Sequence, residues 1–187
     1  MAEVKILIQG YLMADFKDKK KAGTCPTISL IRDQGKNIVV DPGTVKDQKI
    51  IRNKLKAEGL TIDDINIVAI THSHLDHYRN IGMFPRAKAL DYWGIWERDK
   101  IKKLPARFTN DIEITKTPGH SYDGISLIIK TKEGKIAIVG DLFWKENYPQ
   151  KDPYASDPKK LKTNRKKILA LADWIIPGHG DIYRVKK

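Results

Sequence analysis

Thr71-His72-Ser73-His74-Leu75-Asp76-His77 is the stretch from which the fold is read. Three imidazoles and a carboxylate follow directly on the apolar run Ile67-Val68-Ala69-Ile70, which reads as a buried strand. A strand ending in a dense group of metal-ligand side chains points to a metal site at its carboxyl end. The chain has five histidines. The two outside this cluster each sit in a Gly-bounded turn after a strand-like segment, Pro118-Gly119-His120 and Pro177-Gly178-His179.

Working outward, residues 4–11 alternate as a strand, and residues 13–24 form a Lys-rich loop that could cover a site. The β-branched runs 27–32 and 37–40 flank Asp33-Gln34-Gly35-Lys36, a hairpin signal, and lead to Asp41-Pro42-Gly43. Residues 47–58 are an amphipathic helix stopped by Gly59, and Thr61-Ile62-Asp63-Asp64 is a capped turn. Beyond the cluster, residues 80–85 read as a short helix or turn, 87–92 as a strand, and 93–110 as mostly loop. Strand 112–116 leads to His120. A second hairpin, 125–131 with 135–139, leads to Gly140-Asp141. Residues 147–158 are a long loop with three prolines. Asp157-Pro158 then opens a helix whose apolar side includes Leu161, Ile168, Leu169 and Leu171. Trp174-Ile175-Ile176 is the last short strand, and it delivers His179. Hairpin, helix, strand and ligands thus occur twice, which predicts an α+β fold of four layers, an αββα sandwich.

The length of 187 residues predicts one domain, 1–187, with a core that needs no disulfides. The single cysteine, Cys25, fits a reducing, cytoplasmic setting, and no signal peptide or membrane span is legible. The formal net charge of +12 has two readings: an anionic partner such as RNA, or the Lys-rich surface of a thermophile. The pair Trp93 and Trp96 could serve a homo-oligomer interface or a buried corner.

The donors define the chemistry. Neutral imidazole and carboxylate suit Zn²⁺ first, with Fe and Mn fitting the same N/O set. In an extended loop, His72 and His74 point to one side and can reach one ion. Asp76 and His77 turn toward a second, while His120, Asp141 and His179 arrive from other strand ends. Seven candidate ligands exceed what one ion takes, so two ions are expected. Asp141 is the candidate bridge, because a carboxylate has two oxygens. Water shared by two such ions loses a proton near pH ~7 and becomes the nucleophile. Taken singly, His179 also reads as a turn residue, Asp141 as a cap and Asp41 as turn chemistry.

This set, His72-x-His74-x-Asp76-His77 with Asp41 upstream and His120, Asp141 and His179 downstream, resembles the metallo-β-lactamase superfamily over nearly the whole chain. The resemblance implies the αββα fold and a dinuclear hydrolase. It implies one ion on His72, His74 and His120, and a second on Asp76, His77 and His179, with Asp141 bridging. Asp76 and Asp141 become the catalytic carboxylates, and Asp41 supports the ligands by hydrogen bonds.

The stretches from His77 to Pro85, from Gly119 to Leu127 and from Val139 to Phe143 are similar to the small single-domain subgroup typified by metallo-β-lactamase domain-containing protein 1. Asp at position 141 rather than Cys separates the chain from many true metallo-β-lactamases. His74 rather than Glu separates it from flavodiiron oxidases. The expected substrate is a small ester, thioester or lactone. The alternative is a phosphodiester such as RNA, a ribonuclease activity being part of that subgroup, and a non-catalytic scaffold ranks last because all ligands are intact. Candidate substrate contacts are Arg79, Tyr122, Trp144 and Tyr148, with Tyr154 also near the ligands. Arg79 reads equally as an exposed helix residue, and the aromatics as core edge.

Overall fold

The computed structural model describes residues 1–13 and 23–186. Except for its ends, the expected Lys-rich loop lies outside the described residues. The strands of the first half are β1 (Glu3–Ile8), β2 (Tyr11–Met13), β3 (Gly23–Cys25), β4 (Ile28–Asp33), β5 (Lys36–Val40), β6 (Ile67–Ala69), β7 (Lys88–Leu90), β8 (Gly94–Glu97) and β9 (Lys100–Lys103). Its helices are α1 (Lys49–Ala57) and the single turn α2 (Leu75–Tyr78). The second half holds β10 (Ile112–Lys116), β11 (Ile125–Thr131), β12 (Gly134–Ile138), α3 (Pro158–Leu171), β13 (Trp174–Ile176) and β14 (Tyr183–Arg184).

One sheet runs β1-β4-β5-β6-β7-β8-β9 and the other β10-β11-β12-β13-β14, with β2 and β3 forming a small ribbon. In each half a tight hairpin is followed by a crossover helix and a parallel strand: β4–β5, α1, β6 and then β11–β12, α3, β13. The first hairpin turns through Gln34 and Gly35, both at positive φ (48° and 73°), the combination that suits strand twist.

Three apolar layers separate the four structural layers. Ile31, Ile38, Ile67 and Leu90 meet Ile112, Leu127, Ile129 and Ile138 between the sheets. Ile51 and Leu55, one helical turn apart, press α1 on Leu30, Val39 and Val68. Leu161 and Ile168 press α3 on Ile128, Ala137 and Ile175. The sandwich is therefore as expected. Helix α3 starts as the sequence predicts: Asp157 accepts a hydrogen bond from the Lys160 N–H at 3.0 Å, and Pro158 occupies the first turn.

Three details differ. Within residues 93–110, expected as mostly loop, residues 94–103 form the hairpin β8–β9. Its register lacks apolar alternation because β9 is an exposed outer edge carrying Lys100, Lys102 and Lys103. Leu169 and Leu171 are exposed, since the buried stripe of α3 follows 161 and 168. Strand β14 is too short to announce itself.

Candidate metal centre

Every candidate ligand follows the end of a strand. Beyond β6 the chain extends through Thr71–His74, and α2 then carries Asp76 and His77. Strands β10, β12 and β13 lead to His120, Asp141 and His179. Backbone proximity makes this possible. A Cβ on Gly140 (φ +52°) would lie 2.2 Å from Thr71 Oγ1, and one on Gly178 would lie 1.9 Å from Asp141 Oδ1. Only glycine allows the ligand loops to approach so closely.

The seven side chains form two groups, His72, His74, His120 and Asp141, and Asp76, His77 and His179. In the first, His72 Nε2 and His120 Nε2 each stand 3.0 Å from His74 Nδ1. In the second, His77 Nε2 and His179 Nε2 are 3.4 Å apart, and Asp76 Oδ2 is 3.5 Å from His179 Nε2. Asp141 lies between the groups. Its Oδ2 is 3.3 Å from His120 Nε2, while Oδ1 is 3.3 Å from His77 Nε2 and 3.2 Å from His179 Nε2. Donors about 2.0–2.1 Å from a tetrahedral ion are about 3.3–3.4 Å from one another, so this spacing fits a metal. Asp141 Oδ1 is also buried and accepts no hydrogen bond among the described residues. Such an oxygen is costly unless a cation takes it.

The outer ring nitrogens of His77, His120 and His179 are held by acceptors, which leaves their inner ones free to bind a cation. Asp41, buried at φ +48°, has Oδ2 2.9 Å from His77 Nδ1 and accepts from both the N–H and hydroxyl of Thr71. Asp152 Oδ2 is 2.7 Å from His120 Nδ1. The Cys25 carbonyl is 3.0 Å from His179 Nδ1, and the Thr24 hydroxyl donates to Asp76 Oδ2 at 2.8 Å. Asp152 was not anticipated; its loop carries no pattern that points to His120. Cys25, remote from the cluster in sequence, touches the site through its backbone.

The electrostatics divide the cluster's rings. Burial opposes protonation of His77, but Asp141 and Asp41 outweigh it and hold its pKa well above the ordinary value. His72 is held well below by burial and by neighbouring imidazoles. Burial opposes ionisation of Asp141, yet His77 and His179 keep its pKa well below the usual carboxylate range.

A cavity of about 650 Å³ opens over the cluster, with Leu12, Leu75, Trp144 and Tyr154 beside His74 and Asp141. Of the anticipated substrate contacts, Trp144 lines it. Tyr148 packs edge-on to Trp144, with ring centroids 5.8 Å apart, and is not in the lining. Tyr122, between buried Ser121 and Asp123, is turned outward and borders a second cavity of about 240 Å³, lined also by His72, Tyr92 and Trp93. Arg79 is exposed where α2 ends and lines neither cavity.

The model of the metallo-beta-lactamase superfamily matches residues 26–110. Metallo-beta-lactamase domain-containing protein 1 of Xenopus laevis is 31% identical over 195 residues, covering 98% of this chain and 82% of that protein. The chain belongs to the metallo-beta-lactamase superfamily. A Methanocaldococcus jannaschii protein named as a metallo-hydrolase is 33% identical, covering 98% of this chain and 90% of that one. The human protein of the same name as the Xenopus relative is 29% identical, and the match spans 59% of its length. Two solved structures share the metallo-beta-lactamase fold. A Thermotoga maritima metallo-beta-lactamase has a TM-score of 0.76 at 22% identity, covering 98% of this chain and 99% of that one. An N-acyl homoserine lactone hydrolase, solved with its product at the catalytic metal centre, has a TM-score of 0.68 at 18% identity, covering 96% and 92%. Like the superfamily, this chain is a metal-dependent hydrolase. Among the described residues no helix is long and apolar enough to cross a membrane.

Proposed function

We propose that the chain, as one domain, holds two divalent ions, Zn²⁺ in the first instance, and hydrolyses the ester, thioester or lactone bond of a small molecule. The observation that carries this reading is the cavity of about 650 Å³ with an apolar wall and the donor cluster at its base. Small-molecule sites are commonly built this way, with apolar walls and a few placed polar groups. Among the described residues no Lys or Arg is in the lining, although the chain's formal net charge is +12. A phosphodiester path needs basic contacts to phosphate, so RNA is the weaker alternative.

His72, His74 and His120 would hold one ion and Asp76, His77 and His179 the other, with Asp141 giving one oxygen to each. Bound there, the ions would supply hydroxide from water near neutral pH and would polarise the oxygen under attack. Asp76 lies in the cavity lining, held by Thr24, where it orients the attacking water. Asp41, Asp152 and the Cys25 carbonyl keep the rings aligned. Trp144, Leu12 and Leu75 receive the apolar part of the substrate and exclude water from it.

The test is a substrate panel on metal-reconstituted protein: p-nitrophenyl acetate, an acyl thioester, a lactone, bis-p-nitrophenyl phosphate and single-stranded RNA. Turnover of a carbonyl substrate above the phosphodiesters is expected. Turnover of the phosphodiesters alone would reverse the assignment, and activity on none of the panel would remove both readings.

A further inference from the structure

We infer that Arg165, on α3 and outside the donor cluster, is a positioning residue that sets the geometry of Asp141 and His179 and the cavity wall between them. The inference rests on the two-ion reading above. Arg165 is half-buried, and its guanidinium reaches back into the loop that follows Asp141. Nε donates to the Leu142 carbonyl at 2.7 Å, and Nη1 donates to the Pro149 carbonyl at 2.8 Å. The guanidinium carbon lies 5.2 Å from the centre of the Phe143 ring. One planar group thus fixes both ends of the segment 142–149, and a point-charge ammonium does not reproduce that fork.

What this segment holds makes the contact relevant to the site. Its first residue follows Asp141 directly. The Phe143 carbonyl accepts from the Gly178 N–H at 2.9 Å, and the Trp144 carbonyl accepts from the His179 N–H at 2.8 Å. Trp144 walls the cavity. The chain then continues to Asp152, whose carboxylate holds His120. Through carbonyls alone, one side chain is therefore linked to the bridging carboxylate, to His179 and to the cavity wall. A tolerance of a few tenths of an ångström separates good from poor ligand geometry.

The test compares Arg165→Lys and Arg165→Met with the unaltered chain, each freed of metal and then titrated with Co²⁺. Two readings are taken: the visible ligand-field spectrum, and metal affinity by competition with a chromophoric chelator. A role in positioning predicts that both variants fold, that affinity falls roughly tenfold or more as for other residues supporting metal ligands, and that the spectrum shifts. In Arg165→Ala, millimolar methylguanidine should restore part of the affinity. Folded variants with unchanged affinity and spectrum would overturn the inference. So would unfolding of both Lys and Met variants, which would make the contact a stability element. If the unaltered chain binds no metal, the two-ion reading fails first, and that result is distinct from equal binding by chain and variants.

Discussion

Asp152 and His120 are joined side chain to side chain, with Oδ2 2.7 Å from Nδ1 and both groups buried. The first half of the fold has its counterpart in Asp41 and His77, 2.9 Å apart. Each half thus contributes a carboxylate that orients an imidazole of the cluster. A carboxylate behind a ligating histidine fixes the tautomer and raises ligand basicity.

Replacing Asp152 by Ala should weaken metal binding about 10–100-fold while the fold is kept. Competition with a chromophoric chelator reads the change. Unaltered affinity would show that His120 is oriented without Asp152.

Gly178→Ala should be poorly tolerated for a steric reason. The new methyl would stand 1.9 Å from Asp141 Oδ1, so the carboxylate or the turn before His179 must move. Overpacking of this kind typically costs about 1–3 kcal/mol. A lowered melting midpoint together with lost metal is expected, and a variant with full metal content at the original midpoint would contradict the close approach.

Between the sheets, Ile129 is fully buried, whereas Leu169 on α3 is exposed. Ile129→Ala should cost about 2–5 kcal/mol, because it leaves a cavity in the central layer. Leu169→Ala should change stability by no more than about 0.5 kcal/mol. Urea unfolding of both variants in the metal-free state separates the two, and equal losses would refute the assigned faces of α3.

Ions shared between the halves should also stabilise the whole fold. Free metal at 100 times its dissociation constant adds about 2.7 kcal/mol by mass action. A chelator should therefore lower the melting midpoint of the loaded chain by several degrees. Identical midpoints with and without chelator would mean that no ion is held by the folded state in preference to the unfolded chain.

Much of this was legible before folding was considered. The hairpins 28–40 and 125–138, the capped start of α3 and the strand ends bearing His120, Asp141 and His179 all carry strong local signals: paired turn residues, Asp-Pro, Gly-His. The β8–β9 hairpin was hidden because an exposed Lys-rich edge lacks hydrophobic alternation. Asp152, Thr24 and the Cys25 carbonyl act across long loops, and no local pattern records such contacts. Arg79 and Tyr122 were drawn toward the site by closeness in sequence. Neither lines the larger cavity: Arg79 is exposed where α2 ends, and Tyr122 borders the smaller cavity beside His72.

The most direct measurement is the number of ions bound per chain after reconstitution, read by elemental mass spectrometry for the unaltered chain and for Asp141→Ala. Two ions per chain, with loss of bound metal and of hydrolysis in the variant, is the predicted result. One ion or none in the unaltered chain, or two ions fully retained by Asp141→Ala, would contradict a dinuclear centre bridged by Asp141.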